Sequence, residues 1–87
     1  MNPGDIQQVA YRIIWRFDDR AGNAVFNDVR ALKDAQALPP LPDVGAKLRV
    51  EIKGRQMMCE VIDAYLDYTI DGTPNLLVGS HVIARER

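Results

Sequence analysis

The chain is poor in the residues from which many catalytic and metal sites are built. Its 87 residues include a single cysteine, a single histidine and a single serine. One histidine and one cysteine fall short of the ligand set of a structural zinc site, and a lone cysteine closes no disulfide within the chain. We therefore expect no metal site and no disulfide framework, which favours a reducing compartment.

The nucleophilic residues are also badly placed for catalysis. Ser80 and His81 are neighbours on a predicted strand, so their side chains point to opposite faces and form no dyad. Cys59 lies between Met57 and Val61 in an apolar set, where a thiol usually packs as a small hydrophobe. The glycines are all isolated, which excludes a glycine-rich phosphate loop. The sequence therefore predicts no catalytic residue and no cofactor.

Neither the charge nor the hydropathy of the chain points to a strongly basic or membrane-bound protein. The formal net charge is −1 and the isoelectric point is near 5.7, so the chain lacks the basic excess of many nucleic-acid-binding domains. No apolar run approaches the roughly 20 residues that cross a bilayer, and residues 1–5 lack the basic start of a signal peptide. We expect one cytoplasmic domain over residues 1–87, with no membrane partner.

A strict alternation of apolar residues predicts the first strand, over residues 8–18. Period two with β-branched and aromatic side chains is typical of a strand with one buried face. The alternating apolar residues are Val9, Tyr11, Ile13, Trp15 and Phe17.

The segment after the turn at residues 18–23 has two interpretations. Asn23 can cap a helix, and an apolar stripe predicts a helix over residues 24–37 that covers one side of a sheet. The stripe consists of Val25, Val29, Leu32 and Ala35. The alternative is a second strand in a hairpin closed at residues 21–23, because Val25, Asn27 and Val29 also alternate. We favour the helix, since residues 30–37 are rich in helix-forming side chains.

The rest of the chain predicts three consecutive strands in an antiparallel meander. Prolines at 39, 40 and 42 form an extended connector; their PxxP spacing could also present a polyproline ligand, which we rank below the connector. Alternation indicates strands over residues 47–53, 57–70 and 76–85. The alternation changes phase near Ile62 and Asp63, so we predict a β-bulge there, which keeps both apolar sets of the long strand inside.

These elements predict an α+β fold in the order β-α-β-β-β. The sheet would be a small curled antiparallel sheet or an SH3-like partial barrel with one covering helix. Residues 45–70, with a glycine, a strand, a glycine turn and a bent strand, resemble the first hairpin of many SH3-like barrels. This resemblance implies a fold and no function.

Two binding hypotheses follow, and we rank an unknown protein partner first. The chain would be a small non-catalytic binding or adaptor module, with a homodimer as one form, since Ile14 lies on an outward face and a sheet edge is open. The alternative is nucleic-acid binding through a basic strand face. Glu51, Asp63 and Asp67 alternate with the basic residues and oppose this alternative. The candidate binding surface consists of Arg12, Ile14, Arg16, Arg49, Lys53, Arg55 and Tyr65.

A small enzyme is the last-ranked hypothesis. Its site would lie in a groove between helix and sheet. The only support for this hypothesis is that such a site needs no local motif. The side chains that could serve it are Tyr11, Tyr65, Tyr68, His81 and a carboxylate.

Overall fold

The computed structural model describes residues 8–32, 38–70 and 75–87, which form one curled sheet of five strands. The strand order is β2-β1-β5-β4-β3. β1 runs parallel to β5, and every other neighbouring pair is antiparallel. The strands are β1 (Gln8–Asp18), β2 (Ala24–Leu32), β3 (Lys47–Ile52), β4 (Arg55–Ile70) and β5 (Asn75–Glu86).

The predicted α+β class with a covering helix is wrong. Residues 24–32 form strand β2, paired with β1, and residues 33–37 of the predicted helix lie outside the described part of the chain. The turn before β2 explains the difference. Gly22 has φ +87°, and the Asp19 carboxylate accepts hydrogen bonds from the backbone N–H groups of Ala21 and Asn23. This turn returns the chain along β1, and ladder bonds with packing outweigh a modest helix propensity.

The prediction of a purely antiparallel sheet is wrong for one pair of strands, β1 and β5. β5 lies between β1 and β4 and is parallel to β1 over the whole length of β1. The predicted meander of β3, β4 and β5 is confirmed, since β4 pairs antiparallel with both of its neighbours. The sheet is therefore mixed, because the last strand of the meander inserts beside the first strand of the chain.

The predicted β-bulge in β4 is confirmed. The register with β5 shifts between Val61 and Asp63, which leaves Ile62 without a partner. A bulge increases the local twist and bends the strand. The bend divides β4 into a first part that pairs with β3 and a second part that pairs with β5 only.

One face of the curled sheet, here called the inner face, carries the core. Its buried hydrophobic cluster comes from β1, β4 and β5 and consists of Phe17, Met57, Cys59, Val61, Val82 and Ala84. Trp15 meets Phe17 edge-on at a ring-centroid distance of 6.2 Å, and Phe17 meets Phe26 of β2 at 5.7 Å. The opposite face, here called the outer face, carries the alternate residues, among them Arg12, Ile14 and His81.

No stretch of the described residues forms a helix long and apolar enough to span a membrane.

Candidate binding site

The two edge strands of the half-barrel, β2 and β3, border an apolar groove that we call the seam. The seam has a volume of about 340 Å³ and is lined by Phe17, Phe26, Val50, Glu51, Ile52 and Lys53. Phe26 belongs to β2, and Val50 and Ile52 belong to β3, yet these two strands are not neighbours in the sheet. Among the described strands, β2 pairs only with β1 and β3 pairs only with β4.

The sequence positions the walls of the seam through strand alternation and one tight turn. Val50 and Ile52 alternate with Arg49 and Glu51, so the apolar side chains face the core while the charged side chains do not. The hairpin from β3 to β4 turns at Lys53 and Gly54, whose φ angles are 51° and 84°. Two successive positive φ angles are typical of the turn that matches the twist of a two-residue hairpin.

A second apolar groove, of about 540 Å³, lies at the other end of the sheet. It is lined by strand residues and by the proline connector: Val9, Tyr11, Leu38, Pro39, Pro40, Leu41, Leu66, Tyr68, Leu76 and Val78. The described ranges end at residues 8, 32, 38, 70 and 75, beside this groove.

Four members of the predicted binding surface meet on the outer face: Arg12, Ile14, Arg16 and Tyr65. Ile14 is opposite His81 on β5, and His81 is opposite Tyr65 on β4, so the three side chains form one row across the sheet. Ile14 is half-buried, and no helix covers it within the part of the chain that the structure describes.

The arginines of β1 have carboxylates beside them. Arg12 Nη2 lies 3.9 Å from Asp67 Oδ2, and the two side chains approach across Gly79, where a Cβ atom would lie 3.4 Å from Arg12 Nε. Arg16 Nε donates to Asp18 Oδ1 at 2.6 Å. Asp67 therefore lies beside a basic residue of another strand on a half-exposed face of the sheet. Such charge pairing between strands is the interpretation that opposed nucleic-acid binding.

The remaining three members of the predicted surface lie on the β3–β4 hairpin. β5 and β4 stand between β1 and β3 in the sheet. Arg49 donates to Gln56 Oε1 at 2.9 Å, Arg55 pairs with Glu86 Oε1 at 3.1 Å, and Lys53 lies in the turn. The structure thus divides the predicted basic surface into two groups and does not bring them together.

The side chains that could support catalysis fall into two groups: His81 meets Tyr65 and Asp67 on the outer face, whereas the two nucleophiles lie in the core. Cys59 and Ser80 are fully buried among the inner-face residues, whereas His81 lies on the outer face. Burial raises the pKa of the Cys59 thiol, and the negative charge of Glu86 raises it further. A raised pKa lowers the thiolate fraction at neutral pH, so Cys59 is a weak nucleophile in the folded chain.

Sequence reasoning missed Phe26 and the seam. Phe26 lies within the segment predicted as a helix, and the structure places it opposite Phe17 on β2. The alternation of Val25, Asn27 and Val29, together with the turn-forming Gly22, was the signal that could have found strand β2, but it favours the face opposite to Phe26. The approach of β2 to β3 had no local signal, because it depends on the curl of the whole sheet.

No protein-family model, curated protein or solved structure matches this chain at a significant level.

Proposed function

We propose that this chain is a small protein-binding module that accepts an extended polypeptide segment along the seam between β2 and β3. The observation that supports this proposal is the pair of strand edges on either side of one apolar groove. Strand edges present backbone N–H and C=O groups that an added strand can pair with.

The chemistry of the seam suits a polypeptide better than a small polar ligand. Phe17, Phe26, Val50 and Ile52 offer an apolar floor, on which alternate side chains of an extended segment can pack. The backbone groups at the edges supply hydrogen bonds that do not depend on the partner's sequence. Glu51 and Lys53, one acidic and one basic, line the same groove and can orient a charged partner.

The test is an NMR titration of the isotope-labelled protein with a synthetic peptide. The peptide alternates valine and threonine and carries lysine at both ends, and a matched control peptide has N-methylated backbone amides. We expect the first peptide to shift the signals of Phe26, Val50 and Ile52, and we expect the methylated peptide to bind at least about tenfold more weakly because its backbone cannot donate. No shift at millimolar peptide, or shifts confined to the outer face, would overturn the proposal.

A matched pair of variants separates the seam from general surface effects. Val50→Thr keeps the shape and β-propensity of the side chain but places a hydroxyl in the groove, so it should weaken peptide binding several-fold. Val44→Thr makes the same change at a side chain that is 64% exposed outside the strands, and it should leave binding unchanged. Equal effects of both variants would contradict binding in the seam.

The same labelled sample tests the nucleic-acid alternative. Mixed short DNA and RNA are added at low and at moderate salt. Salt-sensitive shifts clustered on Arg12, Arg16, Arg49 and Lys53 would favour a nucleic-acid-binding module over the protein-binding one.

A further inference from the structure

The free edge of β2, on the side away from β1, is paired with none of the other described strands. Ala24–Leu32 contains no proline, no glycine and no lysine, and its ladder with β1 is regular from Phe26 onward. Natural edge strands are commonly shielded by charged side chains, lysine above all, by proline, by bulges or by a covering element. β2 has a bulge between Ala24 and Phe26, and its two charged residues, Asp28 and Arg30, have opposite signs. Val29, on the outer face of this strand, is 60% exposed. The edge therefore has the character of a surface that pairs with another strand.

We propose that the strand added to this edge is β2 of a second copy of the chain, antiparallel, with a two-fold axis at Val29. The proposal rests on the proposed function, because it requires that the edge of β2 accepts a strand. In this register Val29 faces Val29 of the second copy, which buries an exposed apolar side chain on both sides. Phe26 faces Leu32 of the second copy, so the added strand extends the apolar wall of the seam.

Charge complementarity selects this register. Directly opposite residues of an antiparallel pair share a face, so Asp28 of each copy faces Arg30 of the other. Asp28 and Arg30 already pair within one strand, with 2.9 Å between Arg30 Nη2 and Asp28 Oδ2, and their side chains are 36% and 70% exposed. Both side chains are thus accessible and lie near the proposed axis.

The neighbouring registers are disfavoured by like charges. Moving the axis to Asp28 places two carboxylates opposite each other, and moving it to Arg30 places two guanidinium groups opposite each other. If the two-fold axis fell between two residues instead of at one, the inner face of one copy would continue into the outer face of the other. Among these registers, only the one with its axis at Val29 places opposite charges across from each other, pairs apolar side chains and keeps the inner faces of both copies on the same side.

The test uses the variants Asp28→Arg and Arg30→Asp, with molecular mass measured by sedimentation equilibrium. Each variant alone places like charges opposite each other twice in the dimer, and we expect its dimer dissociation constant to rise at least tenfold over that of the wild type. An equimolar mixture of the two variants restores opposite charges at every such position, so it should form a heterodimer with about wild-type affinity. The loss of the ion pair within one strand cannot produce this rescue, because neither single variant has that pair.

A second pair of variants keeps the Asp28–Arg30 charges intact. Val29→Lys places a charge at the proposed axis and should give a monomer, whereas Val44→Lys, at an exposed site outside the strands, should leave the dimer unchanged. Circular dichroism checks that each variant is folded. A wild-type chain that stays monomeric at millimolar concentration, or a variant mixture that stays monomeric when the wild type dimerises, would overturn the proposal.

The peptide titration distinguishes failure of this inference from failure of the proposed function. A monomeric wild type whose seam signals still shift with the valine–threonine peptide would remove the self-association and leave the protein-binding function. A monomeric wild type without such shifts would remove both.

Discussion

The imidazole of His81 stacks on the ring of Tyr65, with the ring centroids 4.4 Å apart and the planes 9° apart. This contact joins β5 to β4 on the outer face, and His81 Nε2 also lies 3.3 Å from Asp67 Oδ2. We expect a double-mutant cycle of Tyr65→Leu and His81→Leu to give a coupling energy of about 1 kcal/mol in urea unfolding. The control cycle pairs His81→Leu with Tyr68→Leu, on the same strand but the opposite face, and should give a coupling near zero. Equal coupling in the two cycles would contradict a specific stack.

Arg16 should stabilise the fold more than Arg30, although both form ion pairs within one segment of chain. The partner of Arg16, Asp18, is 2% exposed, and Arg85 lies 3.9 Å from its second oxygen. Removing Arg16 leaves a buried carboxylate with one distant cation, and we expect Arg16→Gln to cost about 2 kcal/mol in urea unfolding. Arg30→Gln breaks a more exposed pair and should cost less than about 0.5 kcal/mol. Comparable losses would show that the burial of Asp18 has no energetic consequence.

The bulge at Ile62 should control how far the β3–β4 hairpin curls over the core. Deleting Ile62 keeps Val61 and Ala64 on the inner face but removes the extra residue that bends β4. We expect the deletion to cost about 2–4 kcal/mol of unfolding free energy, because packing between the hairpin and Phe17 is lost. Ile62→Thr keeps the bulge at a side chain that is 41% exposed and should cost less than about 1 kcal/mol. A deletion variant as stable as the threonine variant would contradict a structural role for the bulge.

The stability of the chain should fall at alkaline pH through Cys59. Its pKa is raised above the ordinary value of 9.0, by burial first and by Glu86 second, so the folded chain favours the protonated thiol. The stabilisation from this group is complete below about pH 9.0 and is lost as the pH rises through the higher pKa of the folded chain, because the unfolded thiol ionises first. Cys59→Ala should be less stable at neutral pH yet decline less steeply above pH 9.0. Parallel pH curves for the wild type and the variant would contradict the raised pKa.

Four of the five strands, β1, β3, β4 and β5, follow from local patterns in the sequence. The wrong prediction of a helix at β2 shows what local patterns do not decide. The alternation from Val9 to Phe17 predicted β1, and the phase change near Ile62 predicted the bulge. Residues 24–32 fit a helical stripe and a strand alternation at the same time. Pairing with β1 decides between these two interpretations, and pairing is a contact between distant parts of the chain.

Alternation assigns each residue of the predicted binding surface to one face of its strand, but it does not decide which of these residues meet. Alternation puts Arg12, Ile14 and Arg16 on one face of β1 and Arg49 on the outward side of β3. Whether those residues meet depends on strand order, which alternation does not encode. With β5 and β4 between β1 and β3, the two groups stay apart.

By itself, the sequence determined the approximate positions of β1, β3, β4 and β5 and the place where β4 bends, because each of these depends on neighbours within a few residues. The tertiary structure alone decided that β5 inserts parallel to β1, that Phe26 reaches Phe17, and that β2 and β3 become the two edges around an apolar seam. The physical reason is that strand order and curl minimise exposed apolar surface and unpaired backbone groups over the whole sheet at once. No local segment contains that information.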